Sequence, residues 1–205
     1  IVGGSANVAA GLNSLVGGGE LNIAAGSHST VGGGNYNRAR GDYSVVCGGG
    51  DAIAGDSNSV LGNYSTVVGG SHNYISALAV YSFIGGGYGN TAPNWWAMVG
   101  GGQSNSASGQ GATVGGGLAN SASGLFALVG GGAYNTATSS ITTVGGGSNN
   151  SAQAECAFIG GGQLNIAAGS HSTVGGGNYN RARGDYSVVC GGGNTDAADS
   201  NSATG

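Results

Sequence analysis

The sequence predicts an all-β fold, a parallel β-solenoid of coils of about 15 residues with two short strands per coil. Three observations carry this expectation. Glycine makes up 49 of the 205 residues while proline occurs once. The tripeptide Gly-Gly-Gly recurs eleven times, and two Gly-Gly pairs stand in equivalent settings. An aliphatic residue precedes each box at a fixed step of 15, through Ile84, Val99, Val114, Val129, Val144, Ile159, Val174 and Val189. Upstream the same series reads Val2, Val16, Val31 and Val46, then a truncated unit around Leu61, then Val68.

The composition removes the competing classes. Collagen needs Gly at every third place and abundant Pro. Disorder goes with high net charge, and −4 over this length is low. Aromatic residues are 7% of the chain, too few large side chains for the core of a conventional two-layer globule. A period of 15 is shorter than any helical repeat, and three consecutive glycines per unit oppose helix by about 1 kcal/mol each.

Strands fit the unit element by element. In Gly111-Ala112-Thr113-Val114 the Ala and Val are two apart and share a face. In Asn105-Ser106-Ala107-Ser108 the Asn and Ala do the same, so a ladder of side-chain amides is expected beside a thin Val, Ala and Ser interior. The Gly box and a later single Gly (Gly109, Gly124, Gly169, Gly184) mark two corners that require positive φ or close backbone approach. Residues 1–205 therefore read as a single repeat domain of about 14 coils with an irregular unit at 51–82.

The outward sites of the first strand carry the functional information. The residue before the core Val or Ile reads Ile1, Leu15, Thr30, Val45, Phe83, Met98, Thr113, Leu128, Thr143, Phe158, Thr173 and Val188. Two residues earlier stand Tyr43, Trp96, Phe126, Ile141 and Tyr186. A solvated strand alternates apolar with polar, and this one is largely apolar on both faces. The row is expected to pack against another chain, with Leu15, Val45, Phe83, Met98, Leu128, Phe158 and Val188 as oligomer-interface residues.

Units such as Thr113-Val114-Gly115-Gly116-Gly117-Leu118-Ala119-Asn120-Ser121-Ala122-Ser123-Gly124 resemble the head repeats of trimeric autotransporter adhesins and related segments of phage and bacterial tail fibres. The likeness is clearest over 84–189 and degraded between Asp51 and Ser82. It implies a left-handed parallel β-roll, assembled as a homotrimer on a cell or virion surface. The head repeats of those adhesins run nearer 14 residues with one Gly in the box, a departure of this chain from the family pattern.

Other motifs are weaker. Arg40-Gly41-Asp42 and Arg183-Gly184-Asp185 spell a tripeptide that integrins recognise, and the four basic residues Arg38, Arg40, Arg181 and Arg183 all flank these sites. A corner Gly with variable charged flanks explains them equally well, and because residues 21–50 and 164–193 are identical, one duplication accounts for both copies. Ile1-Val2-Gly3-Gly4 is a local form of the box, without a protease's Ser, His and Asp constellation. No box is followed by a helix pattern or a Lys, as a phosphate loop would be. His28, His72 and His171 lack clustered partners for zinc.

Cys47 and Cys190 replace the first Gly of a box and Cys156 lies on the outward row, so these thiols are either small buried groups or interchain bridges. Trp95, Trp96 and Tyr88 near Pro93 make either an oligomer contact or a ligand-stacking platform. The Thr residues of the outer row, interrupted by Leu, Phe and Met, do not form the flat array that ice binding needs.

No enzyme chemistry, cofactor or metal site is expected. The sequence points to a structural and adhesive extracellular fibre or head segment, a rigid oligomeric β-roll presenting a binding surface on a cell, virion or appendage. Its partners would be copies of itself and a host-cell receptor or matrix protein, with neither nucleic acid nor membrane insertion. The alternative is a filament subunit that stacks end to end without a specific receptor. The chain begins without Met and has no leader-like or membrane-spanning run, as expected of a processed or excerpted segment.

Overall fold

Because three residues in each unit lack a side chain, only extended backbone joined by tight corners can repeat at this step, and each coil must find its hydrogen bonds in its neighbours. The computed structural model describes residues 1–50, 57–193 and 201–204. It is a parallel β-solenoid of about 12 turns with coils of about 15 residues and no helix among the described residues. Contacts divide the chain into two compact units, Ile1–Ser104 and Asn105–Gly205.

In the first unit the strands, numbered β1 to β12 in chain order, alternate between two parallel sheets. The odd sheet comprises Val8–Ala9, Ile23–Ala24, Arg38–Ala39, Ser59–Val60, Tyr74–Ile75 and Thr91–Ala92. The even sheet comprises Leu15–Val16, Thr30–Val31, Val45–Val46, Thr66–Val67, Phe83–Ile84 and Met98–Val99. The second unit repeats this with β13 (Ser106–Ala107) through β25 (Ser202–Ala203), its even sheet beginning at β14 (Thr113–Val114). A third column of single β-bridges follows the Gly box, through Ser5, Glu20 and Asn35 in one unit and through Leu118, Ala133 and Ser148 in the other. The coil is thus three-sided where two strands and two turns were expected.

Register explains the degraded region. Val45 pairs with Thr66, and Thr66 with Phe83, steps of 21 and 17 residues. Leu61-Gly62 is therefore not a truncated box. Leu61 follows β7 (Ser59–Val60), its amide donating to Ile75 O, and Gly62 underlies the corner at Gly41. Without Leu61-Gly62 the boxes number thirteen, and the structure has about 12 turns against the expected 14 coils; residues 51–56 of the irregular unit lie outside the described residues.

Two assignments in the apolar series also shift by one. Val2 donates to Val16 O as Gly17 does to Val31 O, so Val2 stands in the first-Gly place and Ile1 stands in register with Val16. Likewise Val67 is fully buried, whereas Val68 is largely exposed in a box that begins with Val instead of Gly.

The interior is a stack of three small residues per coil. Val16, Val31, Val46, Val67, Ile84 and Val99 form one buried column, with Ala24, Ala39, Val60, Ile75 and Ala92 opposite. Between them runs the Asn ladder. Asn37 N donates to Asn22 Oδ1 at 2.9 Å and Asn90 N to Asn73 Oδ1 at 3.0 Å. Each amide group also ties two boxes together, as when Asn37 Nδ2 donates to Gly33 O at 3.0 Å and Gly49 O at 2.7 Å. The bond to the second Gly satisfies a carbonyl that the turn at the box would otherwise leave unpaired, while the third-Gly carbonyl, such as Gly49 O, also accepts from Asn35 N.

Candidate interaction surface

The third Gly of each box has φ between 79° and 96°, and a Cβ there would collide with the backbone of the next coil. The single corner glycines Gly109, Gly124 and Gly169 lack positive φ but face the next coil's carbonyl so closely that a Cβ would overlap it. Both parts of the corner expectation are thus realised, at different corners.

Two further columns adopt left-handed backbone almost entirely without glycine, Gly111 and Gly89 being exceptions at φ 65°, which the sequence does not reveal. One, the corner row, includes Asn13, His28, Tyr43, Tyr64, Tyr81 and Trp96, then Phe126, Ile141, Cys156, His171 and Tyr186, with φ from 52° to 59°. The other includes Leu21, Tyr36, His72, Ala119, Tyr134 and Leu164. The cause lies in hydrogen-bond direction. Strand amides donate to the following coil, as Thr30 N does to Ser44 O at 2.9 Å. Left-handed residues turn their amides back to the preceding coil, as Tyr43 N does to Ser27 O at 2.8 Å and Leu21 N to Ser5 O at 3.0 Å. That bond offsets a backbone cost of about 1–2 kcal/mol per residue.

The even sheet carries the candidate surface. Its inward residues are the buried Val and Ile column, and its outward residues are Leu15, Thr30, Val45, Thr66, Phe83 and Met98 in the first unit. The second unit presents Thr113, Leu128, Thr143, Phe158, Thr173 and Val188. Phe83 and Leu128 are 38% exposed, and Met98 and Phe158 are 42% exposed. Val45 is half-buried, and Leu15 and Val188 are exposed. Beside this row stands the corner row, whose Tyr43, Tyr64, Tyr81, Trp96, Phe126, Ile141 and Tyr186 are also exposed. On the other side the Gly box presents nearly bare backbone, with the Phe83 ring alongside Gly85. Each unit therefore has one face with two adjoining rows rich in apolar side chains, and nothing among the described residues covers it.

The odd sheet differs. Its outward places hold Ser106, Ser121, Thr136 and Ser151 in the second unit, with Thr136 Oγ1 donating to Ser151 Oγ at 2.9 Å. In the first unit they hold Ile23, Arg38, Ser59, Tyr74 and Thr91. Hydroxyl-bearing residues prevail on this sheet in the second unit, while Val8, Ile23, Tyr74 and Ile166 make its outer side partly apolar, so the apolar character is greater on the even sheet without being confined to it.

Both Arg-Gly-Asp tripeptides sit at the corner after the odd strand. Gly41 is buried and its Cβ would strike Gly62 O, so the coil itself demands glycine there. Arg40 and Asp42 are exposed on either side of it. Asp42 Oδ1 accepts from Ser27 N at 2.8 Å, and Asp42 N donates to Asn63 Oδ1 at 2.8 Å. Asp185 Oδ1 accepts from Ser170 N at 2.8 Å in the same way. Each Asp thus serves its corner with one carboxylate oxygen, where Asn serves in a neighbouring coil. Arg38 donates from Nη1 to Ser57 Oγ at 2.9 Å.

The cysteines depart from the buried alternative. Cys47 and Cys190 are exposed in the first-Gly place on the even sheet's outer side, Cys156 is half-buried in the corner row, and all three are free thiols. Trp95 and Trp96 meet edge-on, with planes 82° apart and centroids at 5.9 Å, so they offer no parallel platform. Tyr88 lies on the bridge column against His72, away from both. Among the described residues there is no group of three metal-ligating side chains. No described helix is long and apolar enough to cross a membrane.

No protein-family model matches the chain, and no curated protein matches it in sequence.

Proposed function

We propose that this chain is a structural and adhesive segment of an extracellular fibre or head, a rigid β-roll that assembles with copies of itself, as a homotrimer, and displays a binding surface. One observation carries the reading. The apolar outer row of the even sheet is aligned coil on coil and left open to water by the chain's own fold. Thr30, Thr66, Thr113, Thr143 and Thr173 interrupt the row, but its exposed Leu, Phe and Met side chains and the aromatic corner row beside them are the kind of apolar surface that marks an interaction site in a water-exposed protein. Because every coil repeats the same step, identical chains related by rotation about an axis parallel to the ladder bring their outer rows together level by level. The flat hydroxyl-bearing side would then face water or a ligand. The left-handed sense, the surface location and a receptor or matrix protein as partner follow from the resemblance to adhesin head repeats.

The decisive experiment is the mass of the native particle in solution, by light scattering behind a sizing column. Three chains per particle is the expected result. A polydisperse ladder of large species would favour end-to-end filaments, and a clean monomer would reject both. A Phe158→Asp variant, which places a charge in the row, should release single folded chains; a particle of unchanged mass would show that this row is not the contact.

A further inference from the structure

The corner row of the first unit places three tyrosines one above another. Tyr43, Tyr64 and Tyr81 come from consecutive coils, and in-register pairing puts them in one column although they are 21 and 17 residues apart. Each has φ near 57°, so each ring leaves its coil in the same direction. Ring centroids are 4.9 Å apart for Tyr43 and Tyr64, with planes within 4°. They are 5.0 Å apart for Tyr64 and Tyr81, with planes within 18°. The His28 ring closes one end of the stack, 4.6 Å from Tyr43. The three phenols are about half exposed. No other tyrosine among the described residues stacks on a tyrosine: Tyr88 meets His72 and Tyr186 meets His171.

We propose that the Tyr43–Tyr64–Tyr81 column is a modification site, built for oxidative coupling of adjacent phenols into an intrachain dityrosine. The co-reactant is a peroxide, acting through a one-electron oxidant of the peroxidase class. Each of two neighbouring phenols gives one electron to the oxidant and its hydroxyl proton to water, leaving two phenoxyl radicals. One carbon–carbon bond then forms between ring carbons ortho to the two oxygens. The hydrogens on those carbons shift as protons to the oxygens, restoring both phenols. Two phenols have lost two hydrogens in all, and one peroxide has become two waters. The coil ladder supplies what this reaction lacks in solution, two radicals held side by side, an advantage of many powers of ten in effective concentration. Tyr64 can couple on either side; Tyr43 and Tyr81 are two coils apart and cannot reach each other. The bond would join two coils covalently on the corner row. The inference concerns one chain and does not rest on the assembly proposed above.

The test oxidises the full chain at low concentration with peroxidase and hydrogen peroxide. Dityrosine is read by its fluorescence, chain size on a denaturing gel, and linkage by tandem mass spectrometry of peptides. The expected product is a single-chain species with Tyr43 joined to Tyr64, or Tyr64 to Tyr81. Tyr64→Phe keeps a stacked ring and the fold but breaks both pairs, and should cut intrachain dityrosine by about fivefold or more. Tyr134→Phe should leave it unchanged. Absence of dityrosine, linkage spread over all nine tyrosines, products found only between chains, or a Tyr64→Phe yield above half the parent's would each overturn the proposal.

Discussion

Replacing Asn135 by Ala tests whether the amide ladder, and not the thin apolar interior, fixes the coils. Asn135 is fully buried. Its Oδ1 accepts from Asn150 N at 3.0 Å and from Asn150 Nδ2 at 3.1 Å. Its Nδ2 donates to Gly131 O and Gly147 O, both at 2.8 Å. Gly147 O keeps a second donor in Ala133 N, and Asn150 Nδ2 keeps Gly146 O and Gly162 O. Two groups are then stranded, the buried Asn150 amide and the Gly131 carbonyl. Each costs about 1–3 kcal/mol, and loss of the side-chain amide leaves a gap between the buried Val and Ala columns. The expected loss is about 3–5 kcal/mol, read by urea unfolding at one fixed protein concentration. Gln163→Ala, at an exposed bridge-column residue, should change stability by no more than about 0.5 kcal/mol. If Asn135→Ala costs no more than Gln163→Ala, the ladder is incidental and the account of the box carbonyls is wrong.

Three further outcomes follow from the same geometry. Gly132→Ala should prevent or severely weaken folding, because φ is 88° and the Cβ would meet Gly147 O, whereas Gly131→Ala should cost about 1 kcal/mol or less, its Cβ meeting only Gly116 O at 3.9 Å. Thermal unfolding of the pair checks this, and equal losses would contradict it. Ser172→Ala should stabilise by about 1 kcal/mol, since the buried Ser172 hydroxyl has no hydrogen-bond partner and Ala127 and Ala157 fill the same place in other coils; a lower unfolding midpoint would count against it. Asp42→Asn together with Asp185→Asn keeps the corner hydrogen bonds, as Asn63 does, but removes both charges. Fold and melting should be unchanged. Adhesion to integrin-bearing cells should fall to background if the tripeptides are used, and unchanged adhesion would reject that role.

Much of the coil was legible because its demands fall on residue type. A third Gly at positive φ and an Asn whose amide must reach two boxes admit almost no substitute, so the period, the inward Val and Ala, and the amide ladder all show in the sequence. The box boundary was less legible, because the first-Gly place tolerates side chains: Val2, Cys47, Val68 and Cys190 all stand there, and Val2 and Val68 imitate the core residue. The left-handed columns were not legible at all. Their conformation is fixed by an amide turned toward the preceding coil, a backbone requirement indifferent to whether the side chain is Tyr43, Ile141 or Ala119. The main outer row stands outward, as its alternation with the core column implies, apart from Ile1, which takes the core register. The tyrosine stack was missed because its members are unevenly spaced in the chain and become neighbours only through the register.

Where the irregular coils place their extra residues bears on what the even sheet is for. The step from Val45 to Thr66 gains its residues between Gly50 and Asn58, and the step from Arg181 to Ser202 gains its own between Gly193 and Asn201. The step from Thr66 to Phe83 gains its two between Ser76 and Ala79, where Leu78 projects into water. All three enlargements thus enter on the arc that runs from the Gly box to the corner after the odd strand. None falls between that corner and the box, where the corner row and the outer row stand. A solenoid can accept a loop on any side without losing its core, since each coil needs only its neighbours. An isolated chain therefore has no reason to keep one side free of insertions, whereas a face packed against other copies does, because one projecting loop would hold the chains apart. A six-residue Gly-Ser insertion between Asp42 and Tyr43 should therefore leave a chain that folds but no longer assembles. The same insertion between Ala77 and Leu78 should leave assembly intact, and sizing both against the parent separates a covered even sheet from one that faces only solvent.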